Sequence, residues 1–303
     1  MQYTRQLFYC AVVATMMCAS CEKSIDVKTP PYAHKLVLNG NSESFQPLLV
    51  ALSKSASIKD KSHQLDLSVS DATMKLYVDG VYSETMACDS AGEYKSVQDM
   101  VPGKLYTVKV SEPTFDDISA SVTAPSVVSI TNIKRMAFVR QDKDGNLQDA
   151  LTIIFTDPAA TGDYYIVKVN SQKDSIFYYT TDFCVNSSDA GIETFTSDLA
   201  DMNTCLDNNG IFFRDDLFNG KVKELKLFVP SEVIEPGFNG TDTLYGSVEL
   251  WHVTEAYFRY RKSFKVADQS NGDPFAEPAN VYSNVEKGFG IFSIASKDVK
   301  TVY

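Results

Sequence analysis

The sequence predicts an all-β protein, an N-terminal β-sandwich followed by a larger β-rich domain that carries one helix in the C-terminal half of the chain. Three observations lead there. Short segments alternate apolar and polar residues and are separated by Gly, Pro, Asn and Asp, the pattern of many short strands joined by tight turns. Aromatic side chains make up 12% of the 303 residues, with 16 Tyr and 18 Phe against a single Trp, a bias that suits pleated, half-buried surfaces. Only one segment, beginning near Thr254, repeats its apolar residues at the period of a helix. A hydrophobic content of 44% is sufficient for real cores.

The chain opens with an address. Leu7 to Met17 carries no charge, follows the single basic residue Arg5, and gives way to the small residues Ala19 and Ser20. That is the layout of a secretory signal with small side chains at the cut. It is too short for a bilayer span, which needs about 20 apolar residues. A cysteine directly after the cut resembles the lipobox of bacterial lipoproteins, where the thiol is acylated and becomes the first residue of the mature chain. Residues 1–20 are therefore expected to be a lipoprotein signal peptide and Cys21 the lipidation site. Residues 21–32, polar and containing Pro30-Pro31, read as a tether.

Alternation begins at Lys35 to Asn39 and closes at Gly40. Strands are expected at Leu48 to Ser53, Leu65 to Val69 and Thr73 to Val78, with Asp79-Gly80 as a hairpin turn into Val81 to Met86. Val101-Pro102-Gly103 stands just before Tyr106, which opens the alternating strand Tyr106 to Val110. This resembles the tyrosine corner of immunoglobulin-like and fibronectin-like sandwiches, in which the phenol bonds back to the corner backbone. Residues 33–125 are read as that sandwich and residues 127–303 as the second, β-rich domain. Its strands are expected at Val127 to Gln141, Leu151 to Thr156, Tyr164 to Val169, Ile176 to Thr180, Glu224 to Val229 and Tyr245 to Val253. Asp142 to Asn146 reads as a hairpin turn. Between Cys184 and Asn209 the composition turns polar and aperiodic, a long excursion. Thr254 caps the one helix, and its stripe of Tyr257, Tyr260 and Phe264 is expected to pack on a sheet.

Composition and motifs exclude several chemistries. The formal charge is −11, and loss of residues 1–20 removes Arg5 but no acid, so nucleic acid is not an expected partner. Of six cysteines, Cys10 and Cys18 leave with the signal and Cys21 is acylated. Export permits a disulfide among the rest, and Cys184 with Cys205 is the natural candidate because both lie in the polar excursion; two separate thiols are the alternative. The three histidines His34, His63 and His252 stand alone, with no metal-ligand spacing, and no serine nucleophile elbow occurs. His252 reads as a satisfied strand-end side chain. The carboxylate pairs Asp116-Asp117 and Asp215-Asp216 read as exposed turns. Gly288-Phe289-Gly290 sits in strand-like flanks, where glycine permits a bend or a close approach, and is no phosphate cradle. No cofactor, catalytic residue or metal site is assigned.

The tail Asn271-Gly272-Asp273-Pro274-Phe275-Ala276-Glu277-Pro278, with Val281 to Phe292, resembles domain-of-unknown-function family 4249. Cys21 to Asp26, Leu36 to Gly40, Phe155-Thr156-Asp157-Pro158 with Tyr164-Tyr165, Leu217 to Lys221, and Tyr257 to Tyr260 are similar to other parts of the same family. The resemblance implies two-part β proteins anchored at the outer membrane, whose genes often adjoin those of TonB-dependent transporters. It also implies a phylum that O-glycosylates Asp-Ser/Thr sites, which makes Ser90, Ser175 and Thr243 candidates. The expected function is a non-enzymatic outer-membrane lipoprotein that docks on a TonB-dependent transporter or binds a nutrient ligand. The alternatives are a surface hydrolase using carboxylates and a structural or adhesive envelope protein.

Overall fold

The computed structural model describes residues 33–57, 66–89, 91–159, 162–173, 177–179, 183–193, 205–208, 210–234, 244–270 and 279–302. Strands dominate, with two α-helices among the described residues, so the fold is all-β. The strands are β1 (Leu36–Glu43), β2 (Pro47–Lys54), β3 (Thr73–Val78), β4 (Val81–Thr85), β5 (Ala87–Cys88), β6 (Glu93–Asp99), β7 (Leu105–Ser111), β8 (Ile118–Thr123), β9 (Ile130–Gln141) and β10 (Leu147–Thr156). They continue with β11 (Tyr164–Lys173), β12 (Phe177–Tyr179), β13 (Cys184–Val185), β14 (Ile192–Glu193), β15 (Leu206–Asp207), β16 (Ile211–Arg214), β17 (Val222–Pro230), β18 (Leu244–Val253) and β19 (Phe289–Val302). Leu65 to Val69, expected as a strand, contributes only an isolated bridge between Ser68 and Ser53 among its described residues.

The first core lies between β19-β1-β2-β6-β5 and the four-stranded sheet β4-β3-β7-β8. Alternation drives it: Leu36 and Leu38 point inward from β1, Met74 and Leu76 from β3, Tyr106, Val108 and Val110 from β7. Val285, Phe292 and Ile294, far along the chain, belong to the same core. The turn between β3 and β4 has positive φ at both Asp79 and Gly80, the backbone that a two-residue hairpin needs.

The second core lies between the sheet β17-β10-β9 and the strands β16, β11 and β18. Phe155, Tyr165, Phe213 and Phe218 form its aromatic centre, with ring centroids 5.3 to 6.2 Å apart. β19 joins the two assemblies, pairing parallel with β1 through its first half and antiparallel with β18 through its second.

That junction explains the glycines of the tail. Gly290 has φ +107°, and a Cβ placed there would lie 2.1 Å from the Leu38 carbonyl oxygen; at Gly288 it would lie 2.9 Å from that of Leu36. Asn284 fixes the approach, its side chain donating to the Phe292 carbonyl at 2.8 Å and accepting the Phe292 N–H at 2.9 Å.

The helix Glu255–Ser270 is capped by Thr254, whose hydroxyl oxygen accepts the Tyr257 N–H. Of the expected packing stripe, Tyr257 packs against the sheet-side cluster while Tyr260 and Phe264 do not belong to it. Phe258 is the residue buried against the sheet, 5.0 Å from Tyr164 and 5.5 Å from Phe212 between ring centroids, while Phe264 is 49% exposed. The aromatic cup on the outer face of β11 and β16 receives the first turn of the helix. Tyr260 and Phe264, further along, stack on each other instead.

A buried acid stabilises a bulge in the second assembly. Three residues, 137–139, oppose Asp149 across β9 and β10, and Phe138 takes φ +52°. The Asp149 carboxylate accepts the Phe138 N–H at 3.0 Å, the Arg135 Nε at 2.6 Å and the Ser231 hydroxyl. Burial alone would raise its pKa, but these partners outweigh burial and hold it below the ordinary value.

Candidate functional site

Cys21, Ser90, Ser175 and Thr243 lie outside the described residues. Tyr106 is buried, and its phenol oxygen accepts the Val101 N–H at 2.6 Å, the bond of a tyrosine corner. Cys184 and Cys205 are joined as a disulfide with their Cα atoms 5.0 Å apart. The described part of the excursion is tied to β17: Asn186 bridges Phe228, Ser187 donates to the Lys226 carbonyl, and Lys223 pairs with Asp189 at 2.6 Å.

Three carboxylates that sequence reasoning left apart come together at one end of the second core. Asp157, Asp163 and Asp215 offer oxygens within 4.8 Å of one another. Asp215, expected in an exposed turn, is instead buried, while its neighbour Asp216 is exposed. It opens a 3-10 turn, Asp215–Leu217, where its N–H donates to the Asp163 carbonyl and its carboxylate accepts the Gly162 N–H. Asp157 accepts the Tyr165 phenol at 2.5 Å and the Gly220 N–H at 2.8 Å. Burial first, and the Asp157 carboxylate second, push the Tyr165 phenol far above its ordinary value, so it stays a donor.

His252 completes the group. Its Nδ1 lies 2.8 Å from the Ser126 carbonyl oxygen, which can only accept, so Nδ1 carries a proton. Its Nε2 lies 2.9 Å from Asp163, and the ring stacks on Tyr165 at 5.2 Å. Burial raises the Asp163 carboxyl and outweighs the lowering by the His252 ring, so it lies above its ordinary value.

Among the described residues this acidic trio is the group whose oxygens could hold a metal ion, and its hard donors would suit calcium or magnesium. It cannot act on a polymer or a sugar, because Asp157 and Asp215 are 3% and 2% exposed. Its evident work is to tie Asp157, Gly162 and Asp163 to the segment 215–220 beside the aromatic core. The segments around Asp157, Tyr165 and Gly220 are the ones quoted above for their resemblance to one family, so shared sequence here reads as shared architecture.

An accessible site lies elsewhere, on the solvent face of β3-β7-β8. A cavity of about 560 Å³ is lined there by Lys75, Tyr77, Lys109, Asp117, Glu286 and Lys287, with Thr73, Ser111 and Ser119 between them. Alternation places these side chains outward because Met74, Leu76, Val108 and Val110 point into the core. Glu286 closes one end: its N–H donates to the Ser119 carbonyl, and its carboxylate accepts the Ser119 hydroxyl at 2.9 Å. Lys109 sits 4.9 Å from the centroid of the Tyr77 ring, which fixes its ammonium group. Sequence reasoning missed this site; its trace is the alternate spacing of Lys75-Tyr77 and Lys109-Ser111, legible only once β3 and β7 are known to pair.

The family model described as "Domain of unknown function (DUF4249)" matches residues 22–301. No curated protein matches the chain.

Proposed function

We propose, from the premise that this chain belongs to the DUF4249 family, that it is an outer-membrane lipoprotein anchored through Cys21. In this reading it binds a nutrient ligand without transforming it and serves a TonB-dependent transporter. The observation that carries the anchor is the placement of Cys21 at the end of an uncharged run, with the family match beginning at the very next residue, Glu22. The ligand-binding part is supported by the open, polar cavity, most of whose lining stands on the strands β3, β7 and β8.

The test is fractionation together with pull-down. The protein is expected in the outer-membrane fraction, and Cys21→Ser should release it into the soluble fraction. Intact protein captured from native membranes is expected to bring a β-barrel transporter with it. A Cys21→Ser protein that still partitions with membranes defeats the anchor, and capture without a barrel defeats the transporter role.

A further inference from the structure

The geometry points to a binding site for a small acidic sugar, a ring bearing hydroxyls and a carboxylate, in the cavity on β3-β7-β8. The first reason is a cost without a structural return. Lys75 and Lys109 stand directly opposite each other across β3 and β7. Like charges in that position are destabilising. Neither makes an ion pair among the described residues, nor does Lys287, which lines the same cavity at φ +61°. In a chain with formal charge −11, three ammonium groups against the two carboxylates of Asp117 and Glu286 leave this one cavity with an excess of positive charge. A ligand carboxylate would supply the missing counter-charge, and Tyr77 already holds Lys109 in place for it.

The second reason is the acceptors that stand among the lysines. Asp117, Glu286, Ser111 and Thr73 share the cavity with the lysines. Carboxylates would repel a bare inorganic anion, but they are strong acceptors for hydroxyl hydrogens. A ligand that satisfies both sets of side chains carries a negative charge together with hydroxyl donors. The volume of about 560 Å³ falls in the usual range for small-ligand sites and accommodates one or two sugar rings.

This inference rests on the ligand-binding half of the proposed function and is independent of the anchor and of the transporter. Titration calorimetry on the full-length protein in detergent tests it, with glucuronate as probe and glucose and inorganic phosphate as comparators. Glucuronate is expected to bind saturably, at least about tenfold more tightly than either comparator. The variant Lys75→Gln/Lys109→Gln is expected to lose about tenfold in glucuronate affinity while melting no lower than the parent, because it removes a like-charge pair. Asp117→Asn should weaken glucuronate without creating phosphate binding. Absence of saturable glucuronate binding, equal binding of phosphate, or a double variant that binds as the parent does overturns the assignment. Membrane partitioning and barrel capture would be untouched by any of these results, so the two proposals fail separately.

Discussion

Replacing Gly290 by Ala is the sharpest test of how the two assemblies are joined. The added Cβ would meet the Leu38 carbonyl oxygen at 2.1 Å, and the obstacle is backbone in the neighbouring strand, not a movable side chain. Relieving it requires β1 and β19 to part by about 1 Å, a large fraction of the ~4.8 Å that separates hydrogen-bonded strands. The seven register pairs from Val37↔Phe289 to Glu43↔Ala295 are then at risk. A φ of +107° adds strain of about 1–3 kcal/mol for an alanine. Together with two or three weakened ladder bonds at about 1 kcal/mol each, the expected loss is at least ~3 kcal/mol. For a chain of this size, with an unfolding entropy of about 0.6 kcal/mol/K, that is a fall of at least about 5 °C in Tm. Gly80→Ala provides the control, since Gly80 has φ +81° but nothing within 4 Å of an added Cβ. It should cost only about 1 kcal/mol. Thermal unfolding followed by circular dichroism compares the two. If Gly290→Ala melts with Gly80→Ala, the close approach of β19 to β1 is not what the glycine is for.

Other substitutions probe the remaining polar devices. Tyr106→Phe removes the acceptor of the Val101 N–H and should lower stability by about 1 kcal/mol in urea unfolding, with an unshifted midpoint counting against the corner bond. Asp149→Ala leaves Arg135 without its buried partner and should cost roughly 3–5 kcal/mol; a loss under about 1 kcal/mol would show that water replaces the carboxylate. The same pair has a pH signature. Because the folded Asp149 pKa is lowered, its contribution is fully present above the ordinary carboxylate value of 3.8 and is lost as pH falls through the folded value. Asp149→Asn should therefore flatten the acid limb of the stability profile below that pH, and a limb of unchanged steepness would place the acid sensitivity elsewhere.

The strands most legible in the sequence were those whose inward residues are large. Thr73 to Val78 alternates Met74 and Leu76 with polar residues, and Asp79-Gly80 announces its turn, so both were placed correctly. β8 was missed although Ile118 and Val122 alternate with Ser and Thr as a half-buried strand does; only Ala120, small and central, weakens the pattern. β6 was missed for a related reason: Tyr94 points inward, but its inward neighbour is Ser96, which donates to the Gln98 carbonyl and accepts the Leu48 N–H. The helix was found by its period, yet which aromatic it buries depends on where the cup of Tyr164 and Phe212 lies, and only tertiary structure supplies that.

The site residues obey the same division between local and distant information. Tyr106 and its corner sit five residues apart, so spacing alone located them. Asp157 and Asp215 are brought together by the return of β16 beside β11, and Lys75 meets Lys109 through the register of β3 on β7. Neither meeting leaves a local trace. The two clusters nevertheless differ in kind. In the acidic trio, Tyr165, Gly162, Gly220 and His252 answer most of the carboxylate oxygens, and Asp163 Oδ2 is buried with no hydrogen-bond partner among the described residues. In the cavity Lys75 and Lys109 face each other on the surface without an ion-pair partner among the described residues, and only the Tyr77 ring holds Lys109. Hydrogen bonding accounts for most of the first arrangement and for little of the second, so a selective reason for keeping the lysines is to be sought in what the cavity binds.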